Sequence, residues 1–275
     1  MTAGPRRLPI SVVVAVRNAA STVQTCLDSV LQQGVGEMVV IDGASSDGTL
    51  DILKANEQRL AFLESKLDSG IYEAWNDALA HVHGDWICFM GADDTFESAD
   101  TLRSVSTFLA NVPAQVSIAY GRVRYTRPDG TSQVLGRPWS ETRGDFSRYM
   151  AIPHQAVFHR RTVFARLGGF DERYRICGDY EFLLRELRQN EPIFMDIVVA
   201  RMGGGGVSSR PESERLMRRE FHRARHANGL TRIPEWLDPG VARIEIRDWM
   251  RRSLGSRWSR AAEAAYGRLR RHRTT

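Results

Sequence analysis

Short apolar runs rich in β-branched residues alternate with amphipathic stretches over the first hundred residues, and the period of each stretch sets its element. Residues 10–16 and 38–41 read as buried strands, 86–90 as a third, and 61–65 as a weaker fourth, because an apolar run with no polar face must be covered on both sides. Between these runs the apolar residues recur at three- and four-residue steps. A helix capped by Ser21 or Thr22 and running to about Gln33 places Val23, Leu27, Val30 and Leu31 on one face. Residues 49 to about 58 repeat this with Leu50 and Leu53, and residues 71–82 with Ile71, Ala74, Trp75, Ala78 and Val82. A further helix is expected over 97–109. Strands and helices in this alternation predict a parallel, doubly wound sheet.

The second half changes character. Two strand-like runs within residues 117–135 flank Arg127-Pro128-Asp129-Gly130, whose Asp-Gly step suits a hairpin turn, so the sheet is expected to become mixed. Residues 161–167 and 179–189 read as helices, and 192–202 as a returning strand. Four glycines at 203–206 end the pattern, and the chain beyond them is helical in period, rich in arginine and punctuated by Pro211, Pro234 and Pro239. The expected organisation is an α/β domain over 1–206, in halves 8–110 and 111–206, followed by an Arg-rich helical extension over 207–275.

A chain of 275 residues that is 42% apolar can bury a full core. Its three cysteines, Cys26, Cys88 and Cys177, are odd in number and lack a short paired spacing, which argues against a disulfide framework and a zinc site and suits a reducing cytosol. Residues 1–7 have no apolar signal-like core, and the longest apolar runs, 10–16 and 193–200, are too short to cross a bilayer. The net charge of +5 conceals a split: from Arg210 onward there are 17 Arg and 8 Asp or Glu, a net +9 that leaves −4 for the first 209 residues. An acidic body with a basic tail suggests metal or proton chemistry in the body and an anionic partner at the tail, a membrane surface or a nucleic acid.

Ligands of open α/β sheets bind at the carboxyl ends of the strands, and those ends are polar here. Arg17-Asn18 follows the first strand, Asp42-Gly43-Ala44-Ser45-Ser46-Asp47-Gly48-Thr49 the second, Asp68-Ser69-Gly70 the weak one, and Gly91-Ala92-Asp93-Asp94 the next. Adjacent carboxylates at Asp93 and Asp94 repel unless a cation joins them, and oxygen ligands suit Mg2+ or Mn2+. Such an ion completes its shell with water and substrate phosphates, which implies a diphosphate. Capping of the helix that follows is the competing role for this pair, as capping is for Asp47 or Thr49.

Together these segments resemble the nucleotide-binding half of family 2 glycosyltransferases of the bacterial surface-polysaccharide and glycolipid type. The resemblance runs from about residue 8 to 205 and rests on residues 12–18 and 42–49, on Asp68-Ser69-Gly70-Ile71-Tyr72-Glu73-Ala74-Trp75-Asn76, and on Gly91-Ala92-Asp93-Asp94, in family order. It implies a GT-A fold, a Rossmann-like, mostly parallel but mixed sheet flanked by helices. It also implies an inverting, metal-dependent hexosyl- or deoxyhexosyltransferase using a nucleotide-diphosphate sugar, with residues 8–110 as the donor half and 111–206 as the acceptor half. Val16, Arg17, Asn18 and Asp42 are then expected to line the base and ribose, with Asp42 at a uracil-type edge, Asp68 closing the pocket and Asp93 towards the ribose. Asp94 would hold Mg2+ or Mn2+ between the phosphates. The motif is Ala-Asp-Asp where a strict Asp-x-Asp would supply one more carboxylate.

On the acceptor side, Pro153-His154-Gln155, Gly168-Gly169-Phe170-Asp171 and Gly178-Asp179-Tyr180-Glu181-Phe182 resemble the family's acceptor-site elements. Asp179 aligns with the catalytic base, and an ionised aspartate can take a proton from a sugar hydroxyl. Capping of its own helix competes with that role, and Glu181 is the fallback base. His154 is a candidate ligand of acceptor or phosphate, whereas His159 reads as structural and Trp86, Trp139 and Phe170 as packing. Residues 203–209 read as a mobile lid or a plain linker. Residues 243–273 place Leu254, Trp258, Ala261, Ala265 and Leu269 on one helical face amid arginines. This pattern resembles an interfacial helix at an anionic membrane, where a lipid-linked or saccharide acceptor would be met, though an Arg-rich helix packed on the body has the same pattern. The expected location is cytosolic, peripheral at the inner face of the plasma membrane, with no role for nucleic acid. A nucleotidyltransferase would share the sheet and metal but needs a Gly-rich basic loop after the first strand, which residues 15–21 lack. A non-catalytic protein binding a nucleotide or an anionic surface leaves the strand-end aspartates unexplained.

Overall fold

The computed structural model describes residues 8–127, 129–203 and 213–246. The proposed lid, apart from Gly203, and the proposed interfacial helix beyond residue 246 lie outside the described residues. β1 (Leu8–Val16) runs between β2 (Val35–Asp42) and β4 (Trp86–Gly91), with both pairings parallel, and β3 (Phe62–Ser65) extends the same sheet beside β2. The strands are continuous apolar runs because both faces are covered. Val12, Val14 and Val16 face Cys26, Leu27 and Val30 of α1 (Val23–Leu31) and Leu53 of α2 (Thr49–Ala55), while Val13 faces Tyr72, Trp75 and Ala78 of α3 (Ile71–Leu79). The register then fixes the site: Val16 lies opposite Asp42, Asp42 opposite Ser65, and Ala15 opposite Gly91. Four parallel strands therefore finish along one edge.

Beyond β4 the sheet is mixed, as expected. β5 (Thr95–Phe96) precedes α4 (Thr101–Leu109), and β6 (Ile118–Thr126) turns through Asp129-Gly130 into β7 (Ser132–Leu135). Gly130 has φ +82° and the Asp129 carboxylate accepts from the Thr131 N–H at 2.9 Å, which fixes the turn. α5 (Trp139–Phe146), β8 (Val157–Arg160), α6 (Thr162–Leu167), α7 (Gly178–Leu187), β9 (Ile193–Gly203) and α8 (Glu214–Ala227) follow. β8 is antiparallel to both β4 and β6, and the sheet order is β3-β2-β1-β4-β8-β6-β9-β5.

Four elements depart from the sequence pattern. β8 was not expected, because Val-Phe-His-Arg looks half polar, yet His159 is fully buried against Phe89, Phe164 and Phe182. α5 carries only Thr142 and Phe146 as buried residues and so leaves no apolar stripe to read. The helix expected over 97–109 starts at Thr101, since β5 first pairs with β9 and the Ser98 N–H bonds to the Thr101 hydroxyl. The helix expected to reach residue 58 ends at Ala55, where the Asn56 side chain bonds the Ile52 carbonyl, and a short 3-10 turn, Glu57–Arg59, follows.

α8 packs on α7, with Phe221 edge-on to Tyr180 at 5.0 Å between centroids and Ala224 fully buried. Cys26, Cys88 and Cys177 are free and buried. No helix among the described residues is long and apolar enough to cross a membrane.

Candidate active site

At the shared edge, the loops after β1 and β2 are stitched to each other. Asn18, at φ +50°, accepts from the Ser46 N–H at 2.9 Å, while its own N–H donates to the Ser45 hydroxyl at 2.8 Å. The Ala19 N–H donates to the Thr49 hydroxyl and the Ala20 N–H to Asp47. Asp42 is fully buried beneath this lattice, accepting from the Ser45 N–H and hydroxyl and from the Ser65 hydroxyl at 2.6 Å. It thus forms the floor of the edge and ties three strand-end loops together. Val16 also lies below the rim: its side chain is in the core and its carbonyl accepts from the Gly43 N–H.

Arg17 and Asp68 close over Gly43. A Cβ there would lie 2.7 Å from Asp68 Oδ2 and 3.3 Å from Arg17 Cδ, so only glycine lets these two side chains approach over the loop. Arg17 is exposed and Asp68 half-buried. Desolvation raises the Asp68 pKa, opposed by the Arg17 guanidinium and reinforced by Glu73 and Asp42. A cation and a carboxylate thus stand together at the strand edge where the base of a nucleotide was expected.

One strand away, Asp93 is exposed and Asp94 is buried. A Cβ on Gly91 would lie 2.9 Å from Asp93 Oδ1 and 3.0 Å from Asp94 Oδ2, so both carboxylates converge on the space over this glycine. Burial, then repulsion from Asp93, pushes the Asp94 pKa up to about 7, although the Gly91 N–H and the Gln155 side chain both bond to it. Two converging carboxylates, with the charge of Asp93 working against that of Asp94, are the donor set a hard divalent cation fits. Among the described residues no group of three His, Cys, Asp or Glu forms a metal cage. An ion held here takes the remainder of its shell from water and phosphate oxygens.

Asp179, in the acceptor half, meets the helix that follows the Asp68–Gly70 loop. It lies in the first turn of α7, half-buried, and its Oδ1 accepts from the Tyr180 N–H at 2.8 Å. The Tyr72 hydroxyl, on the helix that follows the Asp68–Gly70 loop, donates to the Ile176 carbonyl at 2.6 Å and stands 3.3 Å from Asp179 Oδ1. Gly178 permits this, since a Cβ there would meet the Tyr72 ring at 2.8 Å. Burial raises the Asp179 pKa to about 6, with the Tyr180 N–H and Tyr72 working against the rise. The N–H groups of Arg175, Ile176 and Cys177, just before α7, all bond to the Glu220 carboxylate, while the Asp179 carboxylate bonds N–H groups within the first turn itself. The two halves meet a second time where Asn76 accepts from the Phe170 N–H at 2.8 Å and donates to its carbonyl at 2.9 Å.

Two expectations are corrected. His154 does not line the cleft; it is 6% exposed, stacked on Trp75 at 5.1 Å, and its Nε2 lies 3.1 Å from His159 Nε2. Burial lowers its pKa to about 3, so it carries no charge to offer a phosphate. Its neighbour Gln155 is the residue of that motif that reaches Asp94. Glu181 is no alternative base, because two residues along a helix is about 200° of rotation and its buried carboxylate pairs with Arg185 at 3.1 Å. Sequence reasoning missed Tyr72 and Glu220 as neighbours of Asp179. Glu220 had one signal, an acid lying with Met217, Phe221 and Ala224 on the packed face of α8.

Residues 11–165 match the family model for glycosyl transferase family 2. A PGL/p-HBAD biosynthesis glycosyltransferase of Mycobacterium bovis is 32% identical over 217 residues, covering 76% of this chain and 82% of that protein. Among solved structures, mannosyltransferase PcManGT from Pyrobaculum calidifontis, in complex with GDP-Man and Mn2+, superposes with a TM-score of 0.62 at 20% identity over 96% of this chain and 80% of that one. S. aureus TarS 1-349 in complex with UDP-GlcNAc also gives 0.62, at 18% identity over 78% of this chain and 66% of that one, so this chain spans just under two thirds of it. The structural likenesses establish the GT-A fold, and the family match establishes the chemistry class. A parallel sheet edge carrying the Asp-Gly loop and the Ala-Asp-Asp motif, together with that match, makes this chain a member of the family 2 glycosyltransferases.

Proposed function

We propose that this glycosyltransferase moves a sugar, with inversion, from a nucleoside-diphosphate sugar to an acceptor hydroxyl in polysaccharide or glycolipid synthesis. The observation that carries the reading is the placement of Asp179: Tyr72 holds it against the helix that follows the donor-side Asp68–Gly70 loop. The strand edge beside Arg17 and Asp68 receives the base, with Asn18 and Asp42 ordering the loops beneath it and Asp93 towards the ribose. Asp94 holds a divalent cation, Mg2+ or Mn2+, which when bound offsets charge on the leaving diphosphate. The acceptor hydroxyl gives its proton to Asp179 as its oxygen forms a bond to the anomeric carbon, and the bond from that carbon to the diphosphate oxygen breaks. The Tyr180 N–H and the Tyr72 hydroxyl both lie against Oδ1, which supports Oδ2 as the atom that meets the acceptor. The relative named for PGL/p-HBAD biosynthesis and the neighbours bound to UDP-GlcNAc and GDP-Man support a lipid-linked or saccharide acceptor and a nucleotide-sugar donor. The net +9 from Arg210 onward supports a peripheral position at the anionic inner face of a membrane.

A thermal-shift series with UDP, GDP and dTDP, each with and without Mn2+, tests the donor side. A ligand at 100 times its Kd stabilises the native state by about 2.7 kcal/mol, which is worth several degrees in a chain of this size. At least one nucleotide should raise Tm by that amount, and only with the ion present. No response to any of the three would contradict the reading.

A further inference from the structure

The Glu220 carboxylate accepts from three consecutive backbone N–H groups: Arg175 at 2.7 Å, Ile176 at 2.9 Å and Cys177 at 2.9 Å. Glu220 is 3% exposed, and among the described residues it forms no ion pair with an arginine, lysine or histidine side chain. Burying a carboxylate without a cation is costly, and replacing it with an apolar residue would strand three peptide donors. The contact is therefore specific to the path of residues 175–177, which enter the first turn of α7 and Asp179. Ile176 is held from both sides, its N–H by Glu220 of α8 and its carbonyl by the Tyr72 hydroxyl of α3. The rest of α8 follows the same segment: Cys177 Sγ contacts the Met217 carbonyl, and Arg223 lies 3.8 Å over the Tyr174 ring while donating to the Arg173 carbonyl. The stretch matched by the family model ends at residue 165, so this helix comes from outside it.

We propose that Glu220 is a positioning residue for sugar transfer, its carboxylate fixing the backbone of residues 175–177 so that Asp179 faces the acceptor hydroxyl. This rests on Asp179 being the base. The titratable groups bearing on Asp179 are Tyr72 of α3, Cys177 before α7 and Glu220 of α8. The Glu220 charge opposes ionisation of Asp179, so its removal favours the carboxylate.

The test compares Glu220→Gln, Glu220→Asp and Asp179→Asn with the full-length wild type, using a nucleotide-sugar turnover assay and, separately, titration calorimetry with nucleoside diphosphate and Mn2+. Glutamine keeps one acceptor oxygen but turns an amide donor towards peptide N–H groups, and aspartate keeps the charge but falls one methylene short. A displacement of about 1 Å can cost about 100-fold in rate, so both Glu220 variants should lose roughly 10- to 100-fold in kcat with donor KM and nucleotide affinity within about threefold of wild type. The acid limb of the pH profile should move to lower pH in Glu220→Gln alone. A kcat within threefold of wild type, or loss of nucleotide binding together with turnover, overturns the assignment, the second because Glu220 would then support the fold as a whole. Asp179→Asn separates the two readings. If it is inactive while the Glu220 variants are normal, only the Glu220 role fails; if it is active, the base assignment itself fails.

Discussion

Asp179→Asn lowers turnover by about 10²- to 10⁴-fold, the usual contribution of a general base, and leaves nucleotide binding unchanged. Asparagine has the size of aspartate and can still accept from the Tyr180 N–H, so the first turn of α7 keeps its contacts while the group that takes the proton is gone. The wild-type pH profile carries the same signature. Burial raises the Asp179 pKa to about 6, so kcat/KM should climb through about pH 6, whereas an unperturbed aspartate would give a limb near 4. Stability moves the other way. The folded protein binds this proton more tightly than the unfolded chain, so the stabilisation is complete below the unfolded value near 4 and is lost as pH rises through 6. The Asn variant should therefore melt higher than wild type at pH 7 and level with it at pH 4, an outcome that a fold-damaging substitution would not give.

The second large effect belongs to Asp94. Asp94→Asn should abolish the Mn2+-dependent rise in melting temperature with nucleotide and lower transfer by about 10³-fold, corresponding to the several kcal/mol that a metal ion supplies to a departing diphosphate. The fold should survive, because an amide of the same size can still accept from the Gly91 N–H. Asp93 stays exposed in this variant, and one carboxylate with an amide neighbour is a poor site for a hard cation. Nucleotide stabilisation with Mn2+ that matches wild type would remove Asp94 as the ligand.

The parts legible in the sequence are those whose cause is local. Val12, Val13 and Val14 are each fully buried, so β1 is an unbroken apolar run that admits only a strand covered on both faces. Asp94 and Asp179 were legible as candidates because each stands in a motif of the family resemblance beside a readable element, one just past β4 and the other at the start of α7. β8 was missed because His159 is polar by residue type and core by position, and the same buried pair misled the reading of His154. Tyr72 and Glu220 act on the backbone of residues 104 and 43 positions away, and a bond to a peptide group leaves no mark on the side chain it serves. Asp42 was placed correctly at the strand end, yet the serines that claim its oxygens set it as a floor, and only coordinates tell a floor from a wall.

The most direct test is a crystal structure of the protein grown with Mn2+ and whichever nucleoside diphosphate raises its melting temperature. The ion should sit on the Asp94 carboxylate against the diphosphate, with the base beside Arg17 and Asp68 at the strand edge and the Asp179 carboxylate facing the phosphate end. A nucleotide bound away from this edge, or an ion held by residues other than Asp94, would contradict the account.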